Sequence, residues 1–192
     1  MLEVSKISDH ITQTISFSSN DDFNWYLRAA HEGNADAQYL VGNLYYYGIL
    51  INTNYVMACK WYEKSAEQGN DDARARLGTM YLNGKGTETN CQKAFIYLKN
   101  AADKGNGSAL NNLGWMYKTG TGVIQDYKKA NEYFQKAVEN GCLASHKHLV
   151  DLYLNGWGVE PDIEKAAYHY LKASADGDKP STKALEEIDE NN

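Results

Sequence analysis

The chain has 192 residues, 43% of them apolar, which suits a single folded domain with a continuous core and argues against disorder. Its 19 Lys and Arg stand against 25 Asp and Glu, giving a formal charge of −6. The charges are scattered, so no basic footprint for DNA or RNA is expected. Three cysteines, Cys59, Cys91 and Cys142, are too few and too irregularly spaced for a disulfide framework and read as thiols of a reducing compartment. Nothing approaches the roughly 18 uninterrupted apolar residues of a membrane helix.

Residues 1–20 carry Glu3 and Asp9 early and no long apolar run, unlike a cleaved secretory signal. The expected address is therefore the cytoplasm, with export by a route that needs no cleaved signal left open. Val4, Ile7, Ile11 and Ile15 predict a short amphipathic helix covering one end.

From residue 21 the sequence repeats. Gly33, Gly69, Gly105, Gly141 and Gly177 are each 36 residues apart, a register that chance does not hold five times. Tyr45, Tyr81, Tyr117 and Tyr153 keep the same step, as do Gly48, Gly84, Gly120 and Gly156, and Ala58, Ala94, Ala130 and Ala166. The period divides residues 21–190 into a half repeat (21–32), full repeats over 33–68, 69–104, 105–140 and 141–176, and a terminal helix over 177–190.

Each repeat reads as two helices. In the first full repeat, Ala37, Val41, Leu44 and Tyr45 predict a helix over 35–47, ended by Gly48 as a left-handed cap. A second helix starts at Asn54, a position matched by Asn90, Asp126 and Asp162, all good N-cap residues. Ala58, Trp61, Tyr62, Ser65 and Ala66 form its buried stripe, and the small Gly42 and Ala58 allow the two helices to approach closely. Leu50 departs from the Gly86, Gly122 and Gly158 of the other copies, which puts the first loop in question. At the far end Leu185 and Ile188 keep an apolar stripe, while Glu186 and Asp189 suit a solvated cap.

The motif LG-x2-Y-x2-G-x-G followed by D-x2-KA-x2-YF-x-KA, complete in AADKGNGSALNNLGWMYKTGTGVIQDYKKANEYFQKAV (residues 101–138), resembles the Sel1-like repeat family. That resemblance implies an all-α, right-handed superhelical solenoid of antiparallel helix pairs, related to tetratricopeptide repeats. It also implies an adaptor that binds other proteins, often in bacterial signalling, envelope or host-contact settings. The family's secreted, cysteine-rich branch carries a cysteine pair in every repeat, which this chain lacks.

Several stretches invite chemical readings. Gly84-Lys85-Gly86-Thr87 has the residue types of a phosphate loop, but it follows a helix, and the other copies keep the glycines and drop the lysine. It reads as a turn. Lys118-Thr119-Gly120 matches a triplet of serine β-lactamases whose companion S-x-x-K motif is absent here. His146 and His148, two apart, fall on different faces of a helix rather than forming the i, i+4 pair of a helical zinc site. No catalytic constellation, metal or cofactor is therefore expected.

In helix-pair solenoids the first helices line the concave groove, where non-core positions vary freely. Counting outward positions from Val41, Leu77, Leu113 and Leu149 selects Tyr39, Asn43, Tyr46, Tyr47, Asn111, Trp115, Lys118 and Lys147 as candidate partner-binding residues. Solvated aromatics there provide contact area and polar tips together. Equally open is a purely structural role, with Tyr46 and Tyr47 on neighbouring loops and Trp115 bridging repeats. The expected function is a non-catalytic module that binds a peptide or protein surface in the groove, without nucleic acid or membrane insertion. On that expectation Trp115→Ala and Tyr46→Ala leave melting nearly intact. The alternatives are a surface or secreted host-contact antigen of the same fold, and a β-lactam-binding hydrolase.

Overall fold

The computed structural model describes residues 20–175, which form nine α-helices and no strand among the described residues. They are α1 (Asn20–His31), α2 (Ala35–Tyr47), α3 (Tyr55–Glu67), α4 (Asp71–Asn83), α5 (Cys91–Ala102), α6 (Gly107–Thr119), α7 (Tyr127–Glu139), α8 (His146–Asn155) and α9 (Ile163–Ala175). The helix expected within residues 1–20 and the terminal helix expected over 177–190 lie outside the described residues.

Side-chain caps set where the helices begin. Asn54, Asn90, Asp126 and Asp162 each accept a hydrogen bond from the backbone N–H three residues on, at 3.0, 2.9, 3.0 and 2.9 Å. Asn34, Asn70 and Asn106 do the same for α2, α4 and α6, at 2.8, 2.8 and 2.9 Å. Each such cap is worth about 1 kcal/mol. The fourth repeat puts Cys142 where the others have that asparagine, and no side chain caps the start. A 3-10 turn, Leu143–Ser145, intervenes there and α8 is left with 10 residues against 13 in α2, α4 and α6.

At the other end, Gly48, Gly84, Gly120 and Gly156 close α2, α4, α6 and α8 with φ between 64° and 73°. Leu50 adopts φ 63°, close to the 71–75° of Gly86, Gly122 and Gly158. The irregular residue therefore leaves the loop geometry unchanged. A Cβ on Gly86 would collide with the carbonyl of Tyr55, whereas Leu50 is 41% exposed and has room for its side chain.

Contacts divide the chain into two units, one ending at Ala94 and the other starting at Phe95. In the first, Ala30, Ala37, Val41 and Trp61 form a core cluster with Tyr26, Leu27, Tyr45 and Met57 packed on it. Gly42 lets the Tyr62 ring lie against the α2 backbone: a Cβ there would stand 2.6 Å from that ring. In the second unit Gly114 admits Phe134 in the same way, at 2.7 Å. Phe134 joins Ala130, Leu149, Leu152, Tyr153 and Ala166 in the core cluster. Each fully buried large side chain contributes roughly 1.5–3 kcal/mol, so these close approaches hold the helix pairs together.

Candidate functional site

In the first unit, Tyr39, Tyr46 and Tyr47 of α2 are half-buried. The expectation of an outward Asn43 is corrected: it is 2% exposed and its Oδ1 accepts the Tyr62 hydroxyl at 2.7 Å. The reason is the neighbouring Gly42. With the Tyr62 ring pressed on the backbone there, its hydroxyl reaches the next residue and draws Asn43 into the helix interface.

Two cations join these tyrosines. Lys85 donates to Tyr46 Oη at 3.2 Å and lies over the rings of Tyr46 and Tyr55, 4.4 and 4.2 Å from their centroids. Partial burial works against its charge, but hydrogen bonds with Tyr46 and Tyr55 outweigh it and raise its pKa. The turn residue that the sequence left without a role is thus tied to a candidate binding residue. Arg76 of α4, with its guanidinium 5.6 Å from the Tyr47 ring centroid, is a second cation that the outward positions did not include. Burial opposes its charge, and the Tyr47, Tyr39 and Tyr62 oxygens, with a hydrogen bond to Tyr39, more than offset this. One signal marked it in advance: the equivalent places are Leu40, Asn112 and His148, so the arginine is an exception among the repeats.

Tyr47 is itself unusual. Its hydroxyl is buried and has no hydrogen-bond partner among the described residues. A buried unpaired hydroxyl costs about 1–3 kcal/mol, so it calls for an explanation. Burial, reinforced by Tyr46 and Tyr39 against Arg76 and Lys85, raises its pKa and keeps the phenol neutral and able to donate.

The second unit presents Asn111, Trp115, Lys118 and Lys147 differently. Asn111 Oδ1 accepts the Ser145 hydroxyl at 2.8 Å. Trp115 is half-buried and packs on the Phe134 and Leu149 cluster. Lys118 is 2.6 Å from Asp151 Oδ2 and 5.7 Å from the Trp157 ring centroid, with 15% of its side chain exposed. Lys147 is half-buried and has a partner. The expectation that Trp115→Ala and Tyr46→Ala leave melting intact is revised accordingly. Trp115 supports a core cluster, and Tyr46 packs edge-on against Tyr47 and Tyr55 at 4.9 and 5.3 Å.

A relation between the two units emerges in sequence register. Tyr46, Tyr55 and Lys85 correspond, 72 residues on, to Lys118, Tyr127 and Trp157. Tyr127 stacks on Trp157 at 5.3 Å. The same node is therefore built twice, with the cation and the aromatic ring exchanged between its first and last positions. It fastens the loop of one repeat to the helix pair before it.

The histidines also separate. His146 Nδ1 lies 2.8 Å from His169 Nδ1, whereas His148 stacks on Phe134 at 4.5 Å. Among the described residues no three metal-ligating side chains come together.

The family model described as Sel1 repeat matches residues 23–34, 35–70, 71–106, 107–142 and 144–178. Among solved structures, a Sel1 repeat protein from Oxalobacter formigenes is 34% identical with a TM-score of 0.76, over 81% of this chain and 62% of that one. The c5321 protein of uropathogenic Escherichia coli, a protective antigen displaying an SLR fold, is also 34% identical, with a TM-score of 0.74, over 81% of this chain and 33% of that one. The chain thus spans a third of the length of c5321 and 62% of the Oxalobacter protein. No curated protein matches. The architecture is an all-α solenoid, and repeats of this kind are in general non-catalytic protein-interaction scaffolds.

Proposed function

Because the chain belongs to the Sel1 repeat family, we propose that it is a non-catalytic adaptor that binds a peptide or a partner's surface on the faces of its first helices. The observation that carries this reading is the gathering of half-buried Tyr39, Tyr46 and Tyr47 beside Arg76 and Lys85 in the first unit. Tyrosine and arginine dominate interface hot spots because they combine large contact area with directional donors. Trp115 and Lys147 provide the corresponding face of the second unit. Asn43, Asn111 and Lys118 act from behind, through Tyr62, Ser145 and Asp151.

The test begins with a partner isolated by affinity capture from the producing cell, then titrated against purified variants. Tyr46→Ala and Trp115→Ala should each weaken it by about 1 kcal/mol or more. Ile124→Ala, in a loop where that side chain is 90% exposed, should not. Melting curves taken alongside separate lost contacts from lost fold. Binding of both face variants equal to that of Ile124→Ala would sink the reading.

The likeness to c5321 favours a second reading, a secreted or surface protein that contacts a host. Locating the protein in fractions of the producing cell tests it: recovery from the cytoplasm alone would end that alternative.

A further inference from the structure

We propose that Arg76 anchors a carboxylate site on the first unit, and that the partner of this face is an acidic peptide. The proposal rests on the interaction reading above and names the chemistry of the partner.

A recessed guanidinium ordinarily has a carboxylate beside it, because an uncompensated charge is costly to bury. Among the described residues Arg76 makes no ion pair, and its neighbours are phenols. Three carboxylates of the same unit are engaged with other groups. Asp71 pairs with Arg74 at 2.8 Å, Asp36 accepts from Asn70 at 3.0 Å, and Glu63 accepts from Tyr81 at 3.1 Å. Beside Arg76 stands the Tyr47 hydroxyl, buried and without a partner. The guanidinium N–H donors that Tyr39 does not take complement a carboxylate, and a shift of the Tyr47 side chain on binding would bring its unused O–H to the same oxygens.

The repeat framework does not require this pair. Arg76 is replaced by Leu40, Asn112 and His148 in the other copies, and Tyr47 by Asn83, Thr119 and Asn155. The Lys85 node, by contrast, is built again two repeats on and serves the framework. Sign and size favour a carboxylate over a phosphate. One recessed cation balances one negative charge, and Lys85 is already held on the rings of Tyr46 and Tyr55. Arg76 stands in a chain whose formal charge is −6, so it complements an acidic segment against the trend of the whole.

The experiment follows the Arg76 Nε–H and Tyr47 ring signals by NMR in the full chain. Probes are sodium acetate, acetyl-Ala-Glu-Ala-amide, acetyl-Ala-Gln-Ala-amide, acetyl-Ala-Gln-Ala with a free C-terminus, and inorganic phosphate. Saturable shifts are expected with acetate and with at least one of the two carboxylate-bearing peptides, and none with the Gln amide. The stronger of those two identifies a side-chain or a terminal carboxylate as the source. Arg76→Gln should abolish the response and Arg76→Lys should weaken it, because the fork is lost. Tyr47→Phe should weaken it about tenfold while melting no lower than wild type, since its hydroxyl has no partner to lose. No saturable shift, a shift that survives Arg76→Gln, or phosphate binding more tightly than acetate would each overturn the assignment. If that happens while Tyr46→Ala still releases the isolated partner, only the carboxylate falls and the interaction face stands.

Discussion

The hydroxyl of Tyr62 donates to Asn43 Oδ1 across 2.7 Å inside the helix pair, with both residues at most 2% exposed. Two repeats on, the same places hold Trp115 and Phe134, both apolar. The repeat thus accepts either a matched polar pair or a matched apolar one at this spot, and each alternative leaves no buried group unpaired.

Breaking that match should be more costly than losing one hydrogen bond. Tyr62→Phe is expected to lower stability by about 1–3 kcal/mol, because Asn43 keeps a buried acceptor with nothing to accept from. Denaturant unfolding checks this. A loss below about 0.5 kcal/mol would mean that water reaches Asn43.

The exchanged node predicts coupling between Lys85 and Tyr46. A double-mutant cycle with Lys85→Gln and Tyr46→Phe should return an interaction of about 0.5–1 kcal/mol, the range of a partly exposed cation and ring. Additive losses would show that their 3.2 Å contact contributes nothing.

Leu50 and Gly86 share one backbone conformation and should respond oppositely to substitution. Relief of a left-handed residue gains roughly 1–2 kcal/mol, against about 0.4–1 kcal/mol for the added freedom of glycine in the unfolded chain. Leu50→Gly should therefore stabilise by about 0.5 kcal/mol. Gly86→Ala meets both the strained φ of 75° and the Tyr55 carbonyl, and should cost more than about 2 kcal/mol. Thermal melts of the two variants decide it, and a Gly86→Ala protein as stable as wild type would contradict the packing.

His169 makes stability depend on pH. Burial, with a smaller effect of His146, lowers its pKa from 6.5 to about 4. Between those values the unfolded chain binds a proton that the folded one does not. Stability from this group is complete above about pH 6.5 and is lost as the pH falls through about 4. Wild type should lose melting temperature over that window more steeply than His169→Gln, whose side chain does not titrate. Parallel curves would place the proton elsewhere.

How much was legible beforehand differs from one residue to the next. The 36-residue step, the helix over 35–47, the Asn54-type N-caps and the Gly48-type C-caps were readable, because each depends on a residue's own backbone preference or hydrogen-bonding reach within about four positions. Arg76, the buried side of Asn43 and the role of Lys85 were not. Asn43 follows from where a ring 19 residues away comes to rest, Lys85 from rings 39 and 30 residues before it, and Arg76 from tyrosines on another helix. By itself the sequence determined the all-α repeat and its period, since a helix and its caps are local properties written once per copy. Only the tertiary structure decided which polar side chains are spent between helices and which, like the Tyr47 hydroxyl, are left without a partner. Stacking brings residues of different repeats within hydrogen-bond distance, and no spacing along the chain encodes that meeting.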